Sequence, residues 1–109
     1  MTPEQIREIV KITLDELTQR KLIKNNYQNI LRIVEKNLKD FFNNKGNTRK
    51  IGYILRQLSD DQYIDVIYYH YRDHRTLEYI AEALEKDVST IKRNKRRLIT
   101  AIYNMLEEG

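Results

Sequence analysis

The chain has no cysteine and no tryptophan, one proline and three glycines, and its longest apolar runs are only a few residues. Each scarcity excludes something. Without Cys there is no disulfide framework, no thiolate nucleophile and no Cys-ligated zinc, which fits a reducing compartment. So few Pro and Gly leave few points at which a helix must break, and an all-α chain is expected. Apolar runs this short fall far below the ~20 residues of a membrane-spanning helix. The first residues also lack the basic-then-apolar order of a signal peptide, so a cytoplasmic location with no membrane partner is expected. A length of 109 residues suits one core, so 1–109 is read as a single domain.

Apolar residues recur at helical spacing through most of the chain. Thr2-Pro3-Glu4-Gln5 has the form of a capping box, and Ile6, Ile9, Val10, Leu14 and Leu17 follow it on one face. After an interruption at Asn25-Asn26, a second amphipathic helix is expected with Tyr27, Ile30, Leu31, Val34, Leu38 and Phe41 facing inward. Asn43 to Asn47 reads as a loop. A short helix with Ile51, Ile54, Leu55 and Leu58 comes next, weakened by Gly52. Ser59-Asp60-Asp61-Gln62 then reads as another capping box, opening a helix with Tyr63, Ile64, Ile67 and Tyr71 inward. Residues 1–58 are read as N-terminal helices forming a scaffold or partner surface, and 59–109 as the functional segment.

The net charge of +4 is modest, but its distribution is uneven. Five of the six residues from Lys92 to Arg97 are cations, and no acidic residue occurs between Val88 and Met105. A charge run alone describes a solvated helix face as well as a binding surface. Its setting separates the two. Thr76 is placed to cap a short helix with Leu77, Ile80, Ala81 and Leu84 inward. Ala81 supplies the small side chain needed where two helices cross closely. Asp87 then stands where its carboxylate caps the next helix through the N–H of Ser89 or Thr90, and Ile91 and Leu98 face the core. At about 100° per residue, the face opposite Ile91 carries Ser89, Arg93, Arg96 and Thr100, flanked by Lys92 and Arg97.

This is the pattern of a helix-turn-helix, whose second helix lies in the major groove of double-stranded DNA. An Arg on that face matches both acceptors of a guanine edge, Ser and Thr reach bases or phosphates, and flanking cations neutralise the backbone. The expected DNA-binding residues are Ser89, Thr90, Lys92, Arg93, Lys95, Arg96, Arg97 and Thr100. Five cations on phosphates would give a salt slope near about −4.5.

Residues 63–106, including IYYHYRDHRTLEYIAEALEKDVSTIKRNKRRLITAI, resemble region 4 of sigma-70-type factors. More closely they resemble small phage-encoded transcriptional regulators of the ArpU and RinA type. The features that carry this are Thr76, Ile80, Ala81 and Leu84, followed by Ser89, Thr90, Ile91, Arg93, Lys95, Arg96 and Leu98. The resemblance implies a helical bundle with a C-terminal helix-turn-helix, and a regulator of phage or prophage late genes with RNA polymerase as a further partner. Glu85 stands where the turn commonly has Gly or Asn, and Lys86 where an apolar residue packs beneath it. Either Val88 or the Lys86 stem then covers the gap.

Other groupings carry less. His70 and His74 share a helix face, but two ligands without a third His or any Cys do not make a metal site, and neither metal nor cofactor is expected. The Tyr68-Tyr69-His70-Tyr71 cluster is read as half core and half interface rather than a stacking platform. Capping accounts for Asp60-Asp61, and with no nucleophile-base arrangement or phosphate-cradling loop, an enzyme is not expected. On the last helix, Ile99, Tyr103 and Leu106 widen the apolar stripe, for packing against the N-terminal helices or else for a homodimer or a contact with RNA polymerase. The rival functions are a DNA-recognition subunit of a packaging machine, similar to small terminase subunits, and a protein-interaction domain that keeps the fold.

Overall fold

The computed structural model describes residues 26–108. The helix expected from Thr2 to Leu17 lies outside the described residues. So does the break at Asn25-Asn26, apart from Asn26, which is helical.

The protein is all-α, with no strand among the described residues. Helix α1 (26–42) buries Val34 and Leu38 and lays Tyr27, Ile30, Leu31 and Phe41 along the same face, as its periodicity predicts. It ends in the 43–47 loop. There the Lys45 N–H donates to the Asp40 carbonyl and the Asn44 N–H to the Phe41 carbonyl, with Asn44 left-handed at φ 56°. Helix α2 (Arg49–Gln57) buries Ile51, Ile54 and Leu55. Gly52 has a packing reason: a Cβ there would lie 3.1 Å from the Phe41 ring, so its absence lets α1 and α2 approach.

The next segment departs from expectation at both ends. No capping box forms at Ser59. Helix α3 (Ile64–Ile67) starts later, and it is the Asp61 carboxylate that accepts from the Tyr63 N–H, at 2.9 Å. A carboxylate two residues before the donor makes this turn without Ser59 or Gln62. After four residues α3 widens into a π-helical turn, Tyr68–Arg72, in which the Asp73 N–H donates to the Tyr68 carbonyl. Val66, absent from the expected inner face, is fully buried beside Ile64 and Ile67.

Helix α4 (Leu77–Ala83) starts at Thr76, whose Oγ1 accepts from the Tyr79 N–H at 3.1 Å. Helix α5 (Val88–Glu107) starts at Asp87. Asp87 has the extended backbone of a cap residue, but its side chain makes no capping bond, contrary to the sequence expectation. Instead the α4–α5 turn is closed through the backbone. The Lys86 N–H donates to the Ala81 carbonyl at 2.9 Å and the Glu85 N–H to the Glu82 carbonyl at 3.2 Å, with Glu85 left-handed at φ 57°. Glu85 thus takes the conformation usual for Gly or Asn. Lys86 is exposed, and Val88 packs against the apolar cluster beneath the turn.

A left-handed residue with a Cβ costs about 1–2 kcal/mol, and Gly avoids that at a smaller loss of unfolded-state freedom. Glu85→Gly is therefore expected to raise stability by about 0.5–1 kcal/mol. In urea the midpoint should rise with an unchanged slope; a fall in midpoint would contradict this backbone geometry.

The buried residues form two clusters, and α5 spans both. The larger joins Val34, Leu38, Ile51, Ile54, Leu55, Ile64, Ile67 and Tyr71 with Leu98, Ile99 and Ile102. The smaller joins Val66, Ile80, Ala81 and Ile91. Ile99 is fully buried in the larger cluster, with Tyr103 and Leu106 half-buried at its margin. A bond from Lys50 Nζ to the Leu106 carbonyl ties α2 to the end of α5. No helix among the described residues is long and apolar enough to cross a membrane.

Candidate nucleic-acid interface

Twenty residues make α5 about 30 Å long, more than twice the ~12 Å width of a major groove. Its burial pattern divides it accordingly. Over the first two turns, Val88 to Asn94, only Ile91 is buried, whereas Leu98, Ile99 and Ile102 embed the rear half in the larger cluster. The front half therefore rests on α3 and α4 through Ile91 and the half-buried Val88, and leaves Ser89, Lys92 and Arg93 exposed.

The eight candidate residues divide at the same place. Ser89, Lys92 and Arg93 are exposed at the front, with Thr90 half-buried beside them. The only side-chain bond among these four is a long one of 3.5 Å from Arg93 Nη2 to Thr90 Oγ1, at the weak limit for such a contact. Lys92 and Arg93 thus present their charge to solvent next to two hydroxyls.

The rear four each contact another part of the molecule, although Arg96 and Arg97 remain exposed. The half-buried Lys95 places Nζ 5.7 Å from the centroid of the Tyr71 ring, and burial pulls its pKa below the ordinary lysine value against the attraction of Glu35. The Arg96 guanidinium lies 4.1 Å from the Tyr27 ring centroid on α1. Arg97 forms a two-pronged pair with Asp61 at 2.8 and 2.9 Å, and its Nε donates to Asn94 Oδ1 at 3.2 Å. Thr100 turns its hydroxyl back to donate to the Arg96 carbonyl at 2.9 Å.

The partners of these rear residues were not found from the sequence. Capping alone accounts for Asp61 in the sequence, and the structure gives it a second role, holding Arg97. Its bond from Arg97 depresses the Asp61 pKa, so this stabilising contribution is present above the ordinary carboxylate range and fades as pH falls through the depressed value. Tyr71 is buried and donates to Glu35 Oε2 at 2.7 Å, linking the π-helical turn to α1. Burial first, and then Glu35, raise the Tyr71 pKa far above the ordinary tyrosine value. Its contribution is therefore full below about pH 10 and lost as pH rises beyond that. Tyr71→Phe is expected to cost about 1–2 kcal/mol in chemical unfolding, because a bond to a charged group is lost from a partly buried site. An unchanged midpoint would show that the pair adds nothing.

Of the other tyrosines, Tyr68 packs edge-on against Phe42, and Tyr69 against the exposed Tyr79, which carries the Arg75 guanidinium 4.8 Å from its ring centroid. His70 uses Nδ1 to donate to the Arg75 carbonyl at 2.8 Å, and His74 is left-handed at φ 56°. Among the described residues no three His, Cys, Asp or Glu side chains gather as metal ligands would. No family model, curated protein or solved structure matches this chain.

Proposed function

We propose that the protein binds double-stranded DNA through a helix-turn-helix formed by α4, its turn and α5, with the first two turns of α5 in the major groove. The observation that carries this reading is the front of α5. Ser89, Lys92 and Arg93 stand exposed together on an acid-free stretch, on a helix held from behind by the fully buried Ile91. Ala81, 6 % exposed in the same cluster as Ile91, is the small residue that lets α4 and α5 cross closely.

Arg93 is assigned to a base edge and Lys92 to a phosphate. With Lys95, Arg96 and Arg97 engaged elsewhere and Arg93 on a base edge, Lys92 is the phosphate contact the basic run keeps, and a salt slope of about −0.9 replaces the steeper value. Lys92→Ala should weaken binding to all sequences alike by removing one phosphate contact, read as a drop of about 0.9 in that slope. A role in phage or prophage late-gene transcription, with RNA polymerase as a partner, rests on the resemblance of residues 63–106 alone. Selection of bound sequences from random duplex DNA tests the reading: a recovered consensus supports it, and recovery of no preferred sequence counts against a sequence-reading helix.

A further inference from the structure

Arg97 lies on the exposed side of the most basic helix, yet each of its three guanidinium nitrogens donates to a partner. Nη1 and Nη2 donate to the two Asp61 oxygens and Nε to Asn94. Asp61 is equally committed. Its Oδ1 also accepts from the Tyr63 N–H at 2.9 Å, so the backbone turn leading into α3 fixes the carboxylate, with the side chain only 19 % exposed. Two parallel N–H···O bonds to a fixed oxyanion are the geometry an Arg uses on a DNA phosphate.

We propose that Asp61 occupies the place of a phosphate on Arg97 and so marks the rear edge of the DNA footprint on α5. The assignment rests on the DNA-binding reading above. To reach a phosphate, Arg97 must leave a carboxylate that cannot follow it, and the half-buried anion then faces the DNA backbone unpaired. One oxyanion is exchanged for another and a repulsion is added, so Arg97 releases no counterion. Asp61 thereby acts as a positioning residue: it withholds a cation from the rear of the helix and leaves the electrostatic attraction to the front turns, where Ser89 and Arg93 stand.

The test is a salt series of affinities for a mixed-sequence DNA duplex, using the full chain and three variants. Asp61→Asn keeps an oxygen for the Tyr63 N–H but gives up the ion pair; Asp61→Ser is the substitute if the Asn variant does not unfold cooperatively. The carboxylate-free variant should bind more tightly than the parent at low salt, with a slope steeper by about 0.9, one added phosphate contact. Asp61→Asn combined with Arg97→Gln removes both charges and should return to the parent slope. Asp60→Asn removes the adjacent exposed charge without freeing an Arg, and should leave the slope unchanged. The assignment is overturned if Asp61→Asn matches the parent, if the double variant falls about 0.9 below it, or if Asp60→Asn steepens the slope as much as Asp61→Asn. If the parent itself does not bind duplex DNA at low salt, the DNA-binding reading falls and takes this assignment with it.

Discussion

Arg93→Ala is expected to flatten base preference at one position of the bound site by about 1–3 kcal/mol, roughly five- to 150-fold, most plainly at a G·C pair. The guanidinium is exposed in the second turn of α5, and its one side-chain bond among the described residues, to Thr90, is too long to hold it. It is therefore available to bond both acceptors of a guanine. Arg93→Lys should restore charge without restoring discrimination, because an ammonium lacks the planar fork. A competition assay at fixed salt between the selected site and its single-base variants measures this. Equal loss of affinity for every competitor would place Arg93 on a phosphate and move the reading role to Ser89.

The second large effect concerns how α5 is presented. Ala81 packs in the smaller cluster with Val66, Ile80 and Ile91, where α4 meets α5. Ala81 is buried there, so the three extra carbons of Ala81→Leu should cost about 1–3 kcal/mol by overpacking. The same crossing fixes the tilt of the front turns, so DNA affinity should fall further than the change in folded fraction explains. A variant as stable as the parent would show that α4 and α5 do not cross at Ala81.

What the sequence made legible was local. The inward faces of α1 and α2, the Thr76 cap, the loop at 43–47 and the burial of Ile91 and Leu98 follow from spacing and capping chemistry within a few residues. The geometry of the α4–α5 turn was not legible, because Glu85 stands where Gly or Asn is common; in the structure it sits at φ 57°, with two backbone bonds closing the turn around it. What stayed hidden was long-range. Arg97 meets Asp61, and Tyr71 meets Glu35, each across 36 positions, and no periodicity records such a pairing. The π-helical turn was hidden for a different reason. It changes the spacing within one turn, too short a stretch to disturb the apolar pattern from Ile64 to Tyr71. As a result the basic run from Lys92 to Arg97 reads as one surface in sequence, although in the fold its front faces solvent and its rear faces α1 and Asp61.

The central claim, that the front of α5 is a DNA-binding surface, is tested most directly by a comparison in which net charge is held equal. The full chain, Lys92→Ala/Arg93→Ala and Lys36→Ala/Lys39→Ala each have their affinity for a mixed-sequence duplex measured across a salt series. Both pairs are exposed, and each double substitution removes two positive charges, one pair from α5 and the other from α1. The account predicts that the parent shows a linear log–log dependence, that losing Lys92 and Arg93 flattens the slope by about 0.9, the one phosphate contact of Lys92, and that losing Lys36 and Lys39 leaves it unchanged. An equal loss from both pairs would mean that any cation serves and that α5 has no special role. A parent slope near zero would mean that the protein does not bind DNA through its charges at all.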